Sequence, residues 1–219
     1  MLVTWLRLKR SIKRTQALDE FAPGGQFEYT GRYPRPLPGY NAHSTQMAQP
    51  PLSSILQGGD RRSLGHANRV VRLILSQPKR FPELLECLWG DDPVVRMRAA
   101  DAAEKISVQR PELLHPFKAE LLGLASEAIQ PELRWHLALM IPRLALTRAE
   151  RQTALTLFKE YLRDRGSIVK THALQGLADL ARNEQALQAE VAGILEHAAR
   201  TGTAAMKARA RKLLPRFRS

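Results

Sequence analysis

Hydrophobic positions in the C-terminal part of the chain recur with the period of an α-helix. Four segments, beginning at Pro93, Pro131, Ser167 and Ala204, place apolar or small residues at i, i+4, i+7, i+8 and i+11. This spacing follows one face of a helix with about 3.6 residues per turn. The shared stripe consists of Val95, Ala99, Ala102, Ala103, Ile106; Leu133, Leu137, Met140, Ile141, Leu144; Val169, Ala173, Gly176, Leu177, Leu180; Met206, Ala210, Leu213, Leu214 and Phe217. We therefore expect four equivalent helices that bury the same face.

A second, more variable set of helices is expected between these four. Proline or a polar residue at Pro78, Pro111, Thr147 and Asn183 is typical of a helix start. The predicted ranges are about 79–89, 111–127, 148–163 and 184–200. An earlier helix, about 61–76, has Asp60 as its expected N-cap. The alternation predicts a repeat of helix pairs about 37 residues long.

The best-defined copy resembles a known repeat family. From Asp91 to Ala103, the Asp, the Val-Arg step and the Ala-Ala pair resemble the second-helix signature of HEAT (armadillo-type) repeats. The other three copies keep an apolar residue followed by Arg or Lys but lack the Asp. The resemblance covers about residues 60–217. It implies an all-α fold, an α–α superhelix or HEAT-like solenoid of about four helix pairs plus an N-terminal capping helix. HEAT proteins are mostly scaffolds and adaptors, so the resemblance implies a fold more than a chemistry.

Three regions follow from composition along the chain. Residues 58–219 form the predicted repeat domain, and residues 22–57 form a Pro/Gly-rich linker without helical or strand period. Residues 1–21 form a basic segment that is too interrupted by Arg and Lys for a secretory signal. A short basic helix on an anionic surface, an Arg-rich transit peptide and a plain basic tail all remain open for it.

Charge and cysteine content exclude several classes of protein. The net charge is +13, but residues 51–199 carry twenty basic and eighteen acidic residues, so most of the excess lies at the two ends. A single cysteine, Cys87, excludes an internal disulfide and a cysteine-based zinc site, and it is expected in the core. No apolar stretch is long enough to span a membrane. We expect a cytoplasmic protein without a cofactor or metal.

Helical geometry predicts which residues of the second helices face away from the stripe. These residues would line a concave face: Met97, Asp101, Glu104, Trp135, Leu139, Thr171 and Gln175. An apolar patch with charged neighbours on such a face suits a protein or peptide partner. Alternatively, the linker or neighbouring helices cover Trp135.

A basic residue follows the first stripe position in every copy, at spacings of 38, 36 and 37 residues. This ladder is Arg96, Arg134, Lys170 and Lys207, and it is continued by Arg209, Arg211 and Lys212 in the basic C-terminal helix. Two interpretations are open: an anion-binding track for nucleic-acid phosphate, or hydrogen bonds that fix the turns between repeats. The residues two positions after each ladder member, Arg98, His136, His172 and Arg209, are expected on the opposite flank.

No catalytic spacing is present, so we expect a protein that is not an enzyme. The enzyme class to weigh is the HEAT-like alkylpurine DNA glycosylases, which pair Trp and Asp on a basic concave face. The candidates here are Trp89 with Asp91 or Asp92, and Trp135. The sequence favours a structural interpretation, in which Trp89 ends an apolar helix and Asp92 caps the next helix. The sequence favours a non-enzymatic module that binds a protein or peptide, with nucleic-acid binding as the alternative.

Overall fold

The computed structural model describes residues 49–60 and 63–217, and over these residues the chain is all-helical. Ten α-helices follow one another there: α1 Leu52–Leu56, α2 Ala67–Ser76, α3 Phe81–Glu86, α4 Pro93–Gln109, α5 Lys118–Glu127, α6 Pro131–Met140, α7 Arg148–Tyr161, α8 Ser167–Ala181, α9 Gln185–Thr201 and α10 Ala204–Leu213. Short 3-10 turns flank several of them, as at Pro111–Phe117 before α5. The all-α prediction is confirmed; the basic segment and most of the linker lie outside the described residues.

Local capping chemistry sets several helix starts where the sequence predicts them. The Asp92 carboxylate accepts a hydrogen bond from the backbone N–H of Val94 at 2.8 Å, and Pro93 follows as the first residue of α4. Thr147 and Glu150 form a reciprocal capping box at the start of α7. These side chains satisfy backbone N–H groups that have no partner inside the helix.

The helix expected from residue 61 begins later, at Ala67, and Asp60 is not its N-cap. Gly58, Gly59 and Gly65 all have positive φ, between 49° and 75°, which glycine adopts without steric cost. The left-handed backbone at these positions prevents a continuous helix from forming there. The described residues between α1 and α2, 57–60 and 63–66, are not helical.

Part of the predicted linker belongs to the packed body. Leu52 and Leu56 of α1 are fully buried, and α1 contacts α2, α3 and α4. The Glu83 carboxylate accepts from the backbone N–H of Leu52 at 2.7 Å, which ties α1 to the start of α3. The core therefore extends N-terminally to Leu52.

The predicted stripe forms the centre of the core. All of its members are buried except Met206 and Phe217, which are half-buried near the C-terminal end. Helices α2, α4, α6, α8 and α10 contact one another in sequence order, while α3, α5, α7 and α9 each pack against the helix that follows them. We call α4, α6, α8 and α10 the second helices, and α3, α5, α7 and α9 the first helices.

Two glycines in helices have opposite surroundings, and this gives a matched test of the packing. A Cβ at Gly176 would lie 2.6 Å from the carbonyl oxygen of Ala138 and 2.7 Å from the ring of Phe158, whereas one at Gly193 has nothing within 4 Å. Gly176→Ala is expected to lower the free energy of unfolding by about 1–3 kcal/mol through overpacking. Gly193→Ala is expected to raise it by about 0.5–1 kcal/mol, because alanine loses less conformational entropy in a helix.

Urea unfolding followed by circular dichroism measures both changes. The close approach of α6 and α8 would be contradicted if Gly176→Ala were as stable as Gly193→Ala.

Candidate binding surface

The first two members of the basic ladder bind the turns between helix pairs. Arg96 donates to the carbonyl oxygen of Gly90 at 2.7 Å and to the side-chain oxygen of Gln130 at 2.9 Å. Arg134 donates to the carbonyl oxygen of Ala128 at 2.6 Å and forms an ion pair with Asp164. In each case one acceptor lies six residues earlier and the other lies in the next turn along the chain. Both guanidinium groups donate hydrogen bonds to oxygens in the turns, as expected if these arginines fix the turns between repeats.

The ladder changes character after Arg134. Lys170 and Lys207 are half-buried, and the side-chain ammonium of neither donates a hydrogen bond to another described residue. Arg209 donates to the side-chain oxygen of Gln175 at 2.7 Å. Arg211 and Lys212 are exposed on α10. The basic residues predicted as one flank are therefore not one continuous surface with a shared environment.

Three residues that the helical wheel assigned to an open concave face are buried. Met97 is 8% exposed, and Asp101 and Thr171 are similarly buried. The prediction from helical geometry used the period of each helix separately. In the structure, α4 packs against α2 and α6, and α8 packs against α6 and α10. Neighbouring second helices therefore cover side chains that point sideways from the stripe. Met97 does not contribute to an open apolar patch.

Glu104, Trp135, Leu139 and Gln175 are the predicted residues that stay partly accessible. We call these four residues the second-helix face. Trp135 lies on α6, with its ring centroid 5.7 Å from that of His136 and 6.4 Å from that of His172. Trp135 and the two histidines form an aromatic group between α6 and α8.

Polar side chains link successive second helices around this group. Lys105 donates to Asp101 at 2.7 Å and to Asn68 of α2 at 2.8 Å. Arg143 binds the carboxylate of Glu104 at 2.7 Å and the hydroxyl of Ser107 at 2.6 Å.

Farther along the stack, the side-chain amide of Gln175 donates to Asp179 at 2.8 Å while its oxygen accepts from Arg209. Acidic and basic groups thus alternate across the surface, and each basic residue named has an acceptor.

Burial changes the titration of the two histidines. Burial, His172 and Lys105 together lower the pKa of His136 to about 3, and burial with Arg209 lowers the pKa of His172 as well. The Nδ1 atoms of both rings are buried without a hydrogen-bond partner among the described residues. Both effects follow because a charged ring loses hydration and sits near other cations. His136 is therefore neutral at physiological pH.

Arg98 is a further residue whose environment differs from the prediction. Its side chain is 1% exposed rather than part of a flank. The guanidinium donates to the carbonyl oxygens of Leu56 at 2.7 Å, Asp60 at 3.0 Å and Ser63 at 3.1 Å, and also to that of Gly58. It holds the loop between α1 and α2 against α4.

We call Arg98 and the four carbonyl oxygens that it binds the Arg98 clamp. The three glycines near these acceptors are the sequence feature that indicates it. A Cβ at Gly65 would lie 2.7 Å from the central carbon of the Arg98 guanidinium, so this position needs glycine for space as well as for its positive φ. The sequence does not say which cation fills that space, because Arg98 lies 42 residues from its first acceptor, Leu56.

The residues considered for a glycosylase do not converge on one site. Trp89 is buried at the end of a 3-10 turn, and Asp92 serves as the cap of α4.

Cys87, expected in the core, is buried, and burial with Glu83 and Glu86 raises the pKa of its thiol to about 12. Over the described residues, no group of three or more His, Cys, Asp or Glu side chains could hold a metal ion. No helix in that same part of the chain is long and apolar enough to cross a membrane.

In comparisons with protein-family models, with curated proteins and with solved structures, nothing matches this chain.

Proposed function

We propose that the chain is a HEAT-like interaction module that binds a protein or peptide partner on its second-helix face, without catalysing a reaction. The proposed architecture is an α–α superhelix of four helix pairs preceded by α2 as a capping helix. Support for it comes from the stripe shared by the four second helices and from their contacts in sequence order. Repeats of this kind present a continuous surface along one side of the stack.

The observation that carries the binding proposal is the environment of Trp135. Its ring packs partly on the core but remains partly accessible, and the partly accessible Leu139 follows one helical turn later. Charged groups of both signs act on His172, whose ring packs against Trp135: Glu104, which Arg143 binds, and Arg209, which donates to Gln175. A rigid aromatic side chain with a mixed polar rim is the usual composition of a protein-binding hot spot.

Nucleic acid is the second candidate partner, and the exposed Arg211 and Lys212 on α10 favour it. Phosphate binding depends on basic groups that release counterions when they contact the backbone. Arg96 and Arg134 are poorly suited to that role because their guanidiniums already bind carbonyl and side-chain oxygens. The proposed protein-binding surface is therefore the stronger of the two.

A selection experiment tests the choice of surface. Peptides selected from a displayed library on the whole chain are expected to bind Trp135→Ala about tenfold more weakly or worse, because truncating an aromatic anchor removes a large buried contact. Leu139→Ala is expected to weaken binding in the same direction. Affinity is measured by fluorescence anisotropy with labelled peptide.

Ile129→Ala is the matched control, since Ile129 is 85% exposed but lies in a turn outside the second-helix face. Unchanged affinity in both Trp135→Ala and Leu139→Ala would contradict the proposal. Duplex DNA titrated across a salt series is the parallel arm: steep salt-dependent binding that needs Arg211 and Lys212 would favour the second candidate.

A further inference from the structure

A cavity of about 640 Å³ opens between α8, α9 and α10, and none of the second-helix face residues lines it. Its apolar lining consists of Leu162, Leu174, Ile194, Ala198 and Met206. The polar side chains of the lining are those of Lys170, Glu190, His197, Thr201 and Thr203. A volume of roughly 300–1,000 Å³ with an apolar lining and a few polar groups is typical of small-molecule sites.

Lys170 gives this cavity a cation. It is the third member of the basic ladder, but it lacks the hydrogen bonds by which Arg96 and Arg134 hold their turns. Although burial acts to raise the pKa of the Asp164 carboxyl, the hydrogen bonds that it accepts from Gly166 at 2.7 Å and from Arg134 hold that pKa below its ordinary value, and Lys170 makes a smaller contribution. The ammonium of Lys170 thus has donor capacity left for an anion in the cavity.

The other ionisable groups in the lining do not neutralise the positive charge of Lys170. The carboxylate of Glu190 is bound by Lys159 at 2.7 Å. His197 is exposed at the rim and makes no side-chain hydrogen bond to the described residues. The cavity therefore favours a ligand with a single negative charge at the Lys170 end.

Gly193 provides a second, independent observation in favour of a ligand in this cavity. It lies inside the 17-residue helix α9, where glycine is less favourable than alanine by about 0.5–1 kcal/mol. A Cβ there would meet nothing within 4 Å, so packing among the described residues does not require glycine. Because Gly193 lines the cavity, its missing side chain keeps the wall open for an occupant.

We propose that this cavity binds a medium-chain fatty acid, with its carboxylate at Lys170 and its chain along Leu174, Ile194 and Met206. The charge of the ligand complements Lys170, and the apolar chain matches the rest of the lining. A charge-assisted hydrogen bond positions the head group, while burial of the methylene groups supplies most of the affinity.

Methyl NMR of the whole chain tests the site with decanoate below its micelle concentration. The methyl signals of Ile194 and Met206 are expected to shift in a saturable manner, while that of the buried Ile106 on α4 stays in place. Lys170→Gln is expected to weaken decanoate about fivefold, the range of a partly exposed charge pair. Lys207→Gln, the same ladder position in the next repeat and outside the cavity, is expected to bind as the unmodified chain does.

Two further arms separate ligand binding from a folding defect. Gly193→Leu adds a bulky side chain to the cavity wall and is expected to weaken decanoate binding while the helical circular dichroism is retained. Decan-1-ol, which lacks the charge, is expected to bind the unmodified chain more weakly than decanoate. The proposal is overturned if decanoate produces no saturable shift of the two methyls, if Lys170→Gln binds it unchanged, or if decanol binds as tightly.

Discussion

Replacing Arg98 with methionine is expected to lower the free energy of unfolding by about 3 kcal/mol. Methionine keeps an unbranched apolar stem but removes the guanidinium that binds the carbonyls of Leu56, Gly58, Asp60 and Ser63. The loss is large because a charged donor is worth more than a neutral one and several acceptors lose it at once.

The loop and helix α1 are expected to loosen together in this variant. Leu52 and Leu56 would then lose part of the packing that buries them. Urea unfolding measures the stability, and amide hydrogen exchange over residues 52–66 reports the local opening. Arg98→Lys is expected to show an intermediate loss, since a compact ammonium cannot span acceptors arranged around a planar fork.

Arg211→Met is the matched control because Arg211 is exposed on α10. It is expected to change stability by no more than about 0.5 kcal/mol. An Arg98→Met protein as stable as Arg211→Met, with unchanged exchange over the loop, would refute the clamp.

Lowering the pH from 7.5 to 5.0 is expected to cost about 2 kcal/mol of stability through His136 alone. The pKa of His136 is about 3 in the folded chain, against an ordinary value of 6.5. The unfolded chain therefore binds the proton that the folded chain rejects. The contribution is fully present above pH 6.5 and is lost progressively as the pH falls from there toward 3.

The depressed pKa has a structural cause that a substitution can remove. His136 is 9% exposed, so its charged form is poorly hydrated, and His172 and Lys105 disfavour that charge further. His136→Gln retains a polar side chain that does not titrate, and it is expected to reduce the pH dependence by the amount that His136 contributes.

Urea unfolding at both pH values gives the comparison for each variant, whatever its absolute stability. His197→Gln, at an exposed position on α9, is the control and is expected to keep the full pH dependence. If His136→Gln lost as much stability at pH 5.0 as the unmodified chain, the burial of a neutral His136 would be refuted. His136→Met serves if the glutamine variant does not fold.

The functional surface was predictable only in part. Trp135 and Leu139 follow from the helical period as residues on the side opposite the stripe, and both are partly accessible. Met97 follows from the same geometry but is buried. The period of one helix locates a side chain around its own axis, whereas the neighbouring helices determine whether that direction is open.

The cavity at Lys170 likewise depends on neighbouring helices as well as on the period of one helix. The sequence places Lys170 in a ladder with Arg96 and Arg134, and their spacing within the repeat does not distinguish the three positions. In the folded chain the two arginines reach carbonyl oxygens in their turns, while Lys170 lines an open cavity. The difference depends on the spacing of α8, α9 and α10, to which residues far apart in sequence contribute.

The sequence by itself determined the all-helical class, the positions of the second helices and the face that each one buries. These features are local, because side-chain period, proline and capping residues act within a few positions of one another. Only the tertiary structure decided that Leu52–Leu56 joins the core, that Arg98 clamps a glycine-rich loop and that His136 stays neutral. Each of these depends on groups from separate helices meeting in a low-dielectric interior, where unmet hydrogen bonds and uncompensated charge are costly.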